Sequence, residues 1–141
     1  MANVIPYAFR GELFTGTHNF DSGGDSFKLA LYTSNPYNTS STVYVVTNEV
    51  SSSGTNYTAT GNALTGNAVV YATAVASCDF ADSTWSSATI TATHAALYND
   101  DQGDKLCVVL DFGGTFTCTN GTFKVSFPNP ATASNAIISM A

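Results

Sequence analysis

The chain has 141 residues, of which 44% are hydrophobic and only 10% are charged, and its net charge is −6. This length suits one domain with a single hydrophobic core. With four cations against ten acids, the composition argues against binding to a nucleic-acid backbone or to an anionic membrane surface, since both require clustered Lys and Arg. No window is apolar enough to span a bilayer and the N-terminus lacks a signal-peptide pattern, so we expect synthesis in the cytoplasm.

The first predicted element lies within residues 4–14, where apolar residues surround an early proline. Pro6 is compatible with the first turn of a short helix, whereas Gly11 lowers the helix propensity. The alternative is an extended arm that packs on a neighbouring molecule, and the sequence leaves both open. The candidate partner contacts in this segment are Val4, Tyr7 and Phe9.

Strand patterns follow through the rest of the chain. The clearest runs over residues 88–98, where Ala and Ile alternate with Thr and one face is therefore rich in threonine. Residues 106–112 are almost continuously apolar, which predicts a strand buried on both faces. The predicted strands cover residues 27–32, 43–46, 68–74, 75–80, 88–98, 106–112, 115–119 and 122–127, with a last edge strand within 135–140.

Turn signals separate these strands. Residues 82–87 and the segment around Gly103 are predicted turns, and Gly113–Gly114 is predicted to break the strand that precedes it. Asn120–Gly121 is predicted to form the turn of a hairpin, because Asn-Gly is the strongest short hairpin signal.

Together these elements predict an all-β fold. About a third of the positions are Ser, Thr or Asn, which suit strands and turns and are poor helix formers. We expect a single antiparallel β-sandwich or jelly-roll-like domain over residues 25–140, preceded by a short N-terminal helix or arm within residues 1–20.

No residue pattern indicates catalysis. The sequence contains no nucleophile elbow, no zinc-protease His pair and no glycine-rich phosphate loop. His94 is interpreted as a half-buried strand residue and His18 as a solvated turn residue. Residues 99–104 group oxygen ligands without the spacing of an EF-hand loop. The sequence therefore predicts a non-enzymatic protein with no catalytic residue, no cofactor and no metal site.

Three cysteines occur without CxxC spacing, and their number is odd. Each lies in a strand-like segment where a small apolar side chain fits, so we interpret them as reduced structural thiols. They are Cys78, Cys107 and Cys118.

Tyrosine is concentrated in the loop-rich half of the chain among Ser, Thr and Asn, a composition typical of recognition surfaces. Two interpretations stay open: the rings are exposed and contact a partner, or they cover the core beneath the loops. The tyrosines concerned are Tyr32, Tyr37, Tyr44 and Tyr57, and the last three are candidate partner contacts.

Four segments, taken in order, resemble a group of small virion proteins of tailed bacteriophages. They are DSFKLALYTS at residues 25–34, NEVSSSGTNYTATGNAL at 48–64, the tryptophan-containing segment at 82–98, and DFG at 111–113 followed by GTFKV at 121–125. The resemblance covers about residues 25–128.

The resemblance implies a structural protein of the virion, made in the host bacterial cytoplasm. It favours a decoration or cement protein on the capsid exterior, with the major capsid protein and its own copies as partners. The acidic net charge suits an exterior position, because the negative charge of packaged DNA repels an acidic protein. One alternative is a tail or fibre component. Another is a carbohydrate-binding or adhesion module in which Trp85 and exposed tyrosines stack on sugar rings, although Trp85 also suits the end of a β-core.

Overall fold

The computed structural model describes residues 3–72, 74–129 and 136–140, and the chain is an all-β sandwich with a short N-terminal helix. Its elements in chain order are helix α1 (Tyr7–Phe14) and strands β1 (Phe27–Tyr32), β2 (Asn62–Ala63), β3 (Ala68–Ala72), β4 (Val75–Asp79), β5 (Ser83–Asn99), β6 (Lys105–Val125) and β7 (Ile138–Met140). A 3₁₀ turn, Asp100–Gln102, joins β5 to β6. Within the described part of the chain, no helix has the length and apolar character needed to cross a bilayer.

The strands form two antiparallel sheets. One has four strands in the order β2–β1–β5–β6, and the other has three in the order β3–β4–β7. β5 and β6 make the longest pairing, which runs from Ser83 opposite Val125 to Asn99 opposite Lys105. β3 and β4 form a tight hairpin, and β7 pairs with the other edge of β4.

One contiguous hydrophobic core joins α1 to both sheets. Phe20 stacks on Phe27 with ring centroids 4.5 Å apart, and Phe80 packs edge-on against both rings. Phe9 of α1 is fully buried in the same core and meets Phe20 edge-on. Burial of one such ring stabilises the fold by about 1.5–3 kcal/mol. Phe9 therefore anchors α1, which is too short to be stable by itself.

A second, smaller core lies on the opposite face of the four-stranded sheet, where Tyr32, Tyr98 and Leu106 are buried. The loop of residues 33–50 covers this face, so β5 is buried on both sides from residue 95 to residue 99. In the first half of β5 only alternate residues are buried. The predicted threonine-rich face is confirmed there, because Thr89 and Thr91 are exposed.

The predicted hairpin at Asn120–Gly121 is wrong. β6 runs without interruption through this pair, and Gly121 lies opposite Ala88 of β5. Asn120 has a φ of 46° and Ser87 a φ of 50°, and the register of the two strands shifts between Trp85 and Ala88 and again between Ala88 and Ile90. The positive φ of Asn120 therefore belongs to a β-bulge and not to a hairpin turn. At this point β6 pairs with β5 and does not fold back on itself.

Two further turn predictions are corrected in the same way. Gly113–Gly114 lies within β6, where Ala92 and His94 of β5 oppose Phe116 and Asp111, so the glycines belong to a bulge that holds the extra residues of β6. Residues 83–87 were expected in a turn and belong to β5. Residues 83–85 pair with residues 123–125 of β6, and Gly113–Gly114 lies between two positions of β6 that pair with β5.

The N-terminal segment contains both a short helix and an extended stretch. α1 begins after Pro6, whose φ of −59° suits the entry to a helix. Before it, Val4 exchanges two backbone hydrogen bonds with Val109 of β6, at 2.9 and 2.8 Å. The extended stretch therefore pairs with its own chain.

The predicted last edge strand is confirmed at β7, which pairs with β4 through Ile138 and Cys78. Asn135, where the prediction begins, lies outside the described residues. The strand predicted at 43–46 is reduced to one isolated bridge between Val43 and Lys105.

Candidate functional site

The predicted partner contacts differ widely in their exposure. Phe9, Tyr37 and Tyr57 are buried inside the chain, where their rings fill the two cores. Val4 and Tyr44 are half-buried. Of the six residues, Tyr7 has the most open side chain, with 56% of its surface exposed.

Two of the loop tyrosines converge on one half-buried carboxylate, that of Glu49. The hydroxyls of Tyr44 and Tyr57 donate to the two oxygens of Glu49, and the Tyr57 hydroxyl also accepts from the N–H of Leu31 at 3.0 Å. Burial and the nearby Glu49 charge hold the pKa of Tyr57 well above its ordinary value. The phenols are therefore neutral donors that fasten the loop to the sheet, which is the second of the two interpretations of these rings.

Trp85 is only 2% exposed and lies between Tyr57 and Phe123. A ring enclosed by other aromatics cannot stack on a sugar in the folded chain. Its indole N–H has no hydrogen-bond partner among the described residues, and the side chain contributes through packing. Trp85, the one tryptophan that the carbohydrate-binding alternative named, is thus an interior residue.

A carboxylate of α1, an imidazole and a thiol lie next to one another where α1 meets the four-stranded sheet. Glu12 Oε2 is 2.8 Å from Nε2 of His18, and Cys107 Sγ is 4.0 Å from Nδ1 of the same ring. Nδ1 also accepts a hydrogen bond from the amide of Asn99 at 3.0 Å. His18 is buried, which corrects its prediction as a solvated turn residue: its ring bridges the helix and the sheet.

This alignment resembles a Cys–His–acid triad but lacks the properties of one. Cys107 is fully buried, and burial raises the pKa of its thiol well above the ordinary value, so the thiolate is not formed. Lys105 binds the other oxygen of Glu12 at 2.6 Å. The group therefore works as a buried polar connection between α1, β5 and β6.

Two of the three cysteines are buried, as the sequence predicts. Besides Cys107, Cys78 lies in the main core, where burial raises the pKa of its thiol to about 12. Cys118 is half-buried on β6, with its thiol directed at the carbonyl oxygen of Ala88 at 3.2 Å.

His94 is a half-buried strand residue, as predicted. Its Nδ1 lies 2.7 Å from the hydroxyl of Thr93, and its Nε2 is 3.7 Å from a carboxylate oxygen of Asp111 across the β5–β6 pair. The arrangement joins the two strands at the point where β6 bulges.

The acidic turn after β5 is held by one internal hydrogen bond and by contacts to the start of β1. Asn99 accepts from the N–H of Asp101, Asp101 accepts from the N–H of Ser26, and Asp100 pairs with Lys28 at 2.9 Å. Across residues 3–72, 74–129 and 136–140, no three His, Cys, Asp or Glu side chains are placed to hold a metal ion.

The most prominent feature of the outer surface is apolar and lies around α1, β3 and β7. Phe14 is 94% exposed, Tyr71 81% and Met140 59%. Met140 lines both a groove beside Phe14 and a hollow beside Tyr71, so the three side chains belong to one continuous surface, the apolar face.

A second apolar cleft, of about 420 Å³, lies on the distal half of β6, where Phe112 and Phe116 stand at right angles. Sequence reasoning missed the apolar face. In β3, Val69 and Tyr71 share one side of the strand, and only Val69 reaches the core. No local pattern shows that Val69 is covered and Tyr71 is exposed. The difference arises because only the first half of β3 lies over the core.

Comparisons of the chain with protein-family models, with curated proteins and with solved structures find no match. The likeness of its four segments to phage virion proteins therefore stays a prediction.

Proposed function

We propose that the chain is a non-enzymatic structural protein of a phage virion, in particular a decoration or cement protein that binds the outer surface of the major capsid protein lattice. The observation that carries the proposal is the apolar face, where the exposed side chains of Phe14, Tyr71 and Met140 lie on one continuous surface. Large apolar side chains left together at a surface mark sites of protein contact. The resemblance of the four segments supplies the virion context.

The surface chemistry supports an exterior position. A net charge of −6 keeps the chain away from packaged DNA, and with few charged residues most of the contact area is left to apolar and hydrogen-bonded groups. Such a protein stabilises the lattice by mass action, because it binds the assembled shell and not the separated subunits.

The abundance of the chain in purified virions tests the proposal directly. Quantitative mass spectrometry should find hundreds of copies, in proportion to the major capsid protein. A handful of copies would indicate a tail or fibre component instead, and absence from the particle would overturn the proposal.

A loss-of-function comparison tests the cementing role. Capsids assembled without the chain should release their DNA at a lower temperature than complete capsids, and added purified chain should restore the difference. Equal resistance to heat with and without the chain would exclude cementing.

A further inference from the structure

A groove of about 300 Å³ separates α1 from β7, and we call it the α1–β7 groove. Among the residues that line it, Phe9 and Ile138 are buried, whereas the large apolar side chains of Phe14 and Met140 are exposed. β7 is the outer strand of the order β3–β4–β7, so one of its edges has no strand partner among the described residues. The groove thus places apolar side chains beside a strand edge that an extended segment can join.

Arg10 provides the positive charge of this groove. Lys28, Lys105 and Lys124 each pair with a carboxylate, at 2.9, 2.6 and 2.7 Å. Arg10 has no such pair within the described part of the chain, and none of the described residues lining the groove is acidic. An arginine among apolar side chains is typical of binding hot spots, and its planar fork matches a carboxylate.

The charge distinguishes between possible occupants. If two copies met symmetrically through this groove, their Arg10 side chains would face each other without a carboxylate between them, and like charges oppose association. A different protein that brings an acidic residue meets no such repulsion.

The exposed area of the apolar face is substantial compared with the area that one partner buries in a protein contact. Phe14 and Tyr71 are almost fully exposed, and two such rings present on the order of 300 Å². Each partner in a specific interface buries about 800 Å². The rings therefore supply a large part of one side of such an interface.

We propose that the α1–β7 groove holds an extended segment of the major capsid protein in which a carboxylate lies between apolar side chains. The carboxylate pairs with Arg10, the apolar side chains cover Phe14 and Met140, and the backbone joins the open edge of β7. The identity of this partner rests on the proposed function. The chemistry of the segment comes from the groove.

Binding to heads assembled without this chain tests the inference. Purified wild-type chain and variants are titrated against these heads, and the bound fraction is measured after sedimentation. Arg10→Glu and Phe14→Ser should each bind at least about tenfold more weakly. Lys124→Glu and Phe116→Ser make the same chemical changes outside the groove and should bind like the wild type.

Two further measurements complete the test. Circular dichroism and urea unfolding confirm that each variant is folded, as expected for exposed positions. Raising the salt from about 50 mM to about 500 mM should weaken wild-type binding, because salt screens the ion pair of Arg10. The residual binding of Arg10→Ala should stay nearly unchanged, because this variant has no such pair.

The outcomes separate the two proposals. If Arg10→Glu and Phe14→Ser both bind as tightly as the wild type, the groove is not the docking site, and the proposed function still stands. If Phe116→Ser is the variant that weakens binding, the cleft on β6 is the contact and the inference is overturned. If the free chain self-associates and Arg10→Glu abolishes it, a second copy occupies the groove. Failure of the wild type to bind heads removes both proposals.

Discussion

The hydroxyl of Tyr57 serves two groups at once, since it donates to Glu49 at 2.7 Å and accepts from the N–H of Leu31 at 3.0 Å. Tyr57→Phe keeps the ring and leaves the buried N–H without a partner. We expect a loss of about 1–3 kcal/mol in the free energy of unfolding, measured with urea. Tyr71→Phe, on an exposed ring, should change it by less than about 0.5 kcal/mol. Equal losses in the two variants would contradict this account.

The carboxylate of Glu12 makes stability depend on pH. Burial alone would raise its pKa, but hydrogen bonds from Lys105 and His18 outweigh burial and hold the pKa below the ordinary value of 4.5. A lowered folded-state pKa contributes stability that is present above the unfolded value and is lost as the pH falls through the folded one. The wild type should therefore exceed Glu12→Gln in unfolding free energy by more at pH 7 than at pH 3. If the difference in unfolding free energy between the two proteins did not change with pH, the lowered pKa of Glu12 would be refuted.

At the scale of elements, two glycines have opposite roles. Gly11 lies within α1, and a Cβ there would meet no atom within 4 Å, so Gly11→Ala should stabilise the chain by about 0.5–1 kcal/mol. Gly61 has a φ of 87°, and a Cβ there would lie 2.1 Å from the carbonyl oxygen of Leu29. Gly61→Ala should cost at least about 2 kcal/mol, because the backbone of β1 must move. Urea midpoints of the two variants should move in opposite directions.

The elements also show where local sequence is sufficient. β1 and the second half of β5 are recognisable from their residues, because apolar strands at the centre of a sheet carry their own pattern. Asn120–Gly121 misleads, because a positive φ serves a bulge as well as a turn. Which of the two forms depends on the strand opposite, and that strand lies about 30 residues earlier in the chain.

At the scale of the whole molecule, the chain combines a net charge of −6 with a concentrated apolar face. Phe14→Ser and Tyr71→Ser should raise the ammonium sulfate concentration needed for precipitation and leave the unfolding free energy within about 0.5 kcal/mol of the wild type. Val46→Ser, at an exposed position in the loop over the second core, should have a smaller effect on precipitation. An equal effect at all three positions would mean that the face does not act as one surface.

The candidate site was less accessible to prediction than the fold. The sequence identifies tyrosines in the loop half, but Tyr57 and Tyr37 point into the cores and hold the loop in place. Phe14 carries no signal that it stays outside, since it follows Leu13, which packs against the main core. The direction of an eight-residue helix relative to the sheets decides which of the two is covered.

By itself, the sequence determined the all-β class, most strand positions and the buried state of Cys78 and Cys107, because alternation and composition act between near neighbours in the chain. Only the tertiary structure decided that Tyr57 and Trp85 are interior, that Phe14 and Tyr71 are exterior, and that Arg10 lies in an apolar groove. Exposure depends on where each element ends relative to the core, and that boundary is set by contacts between residues far apart in the chain.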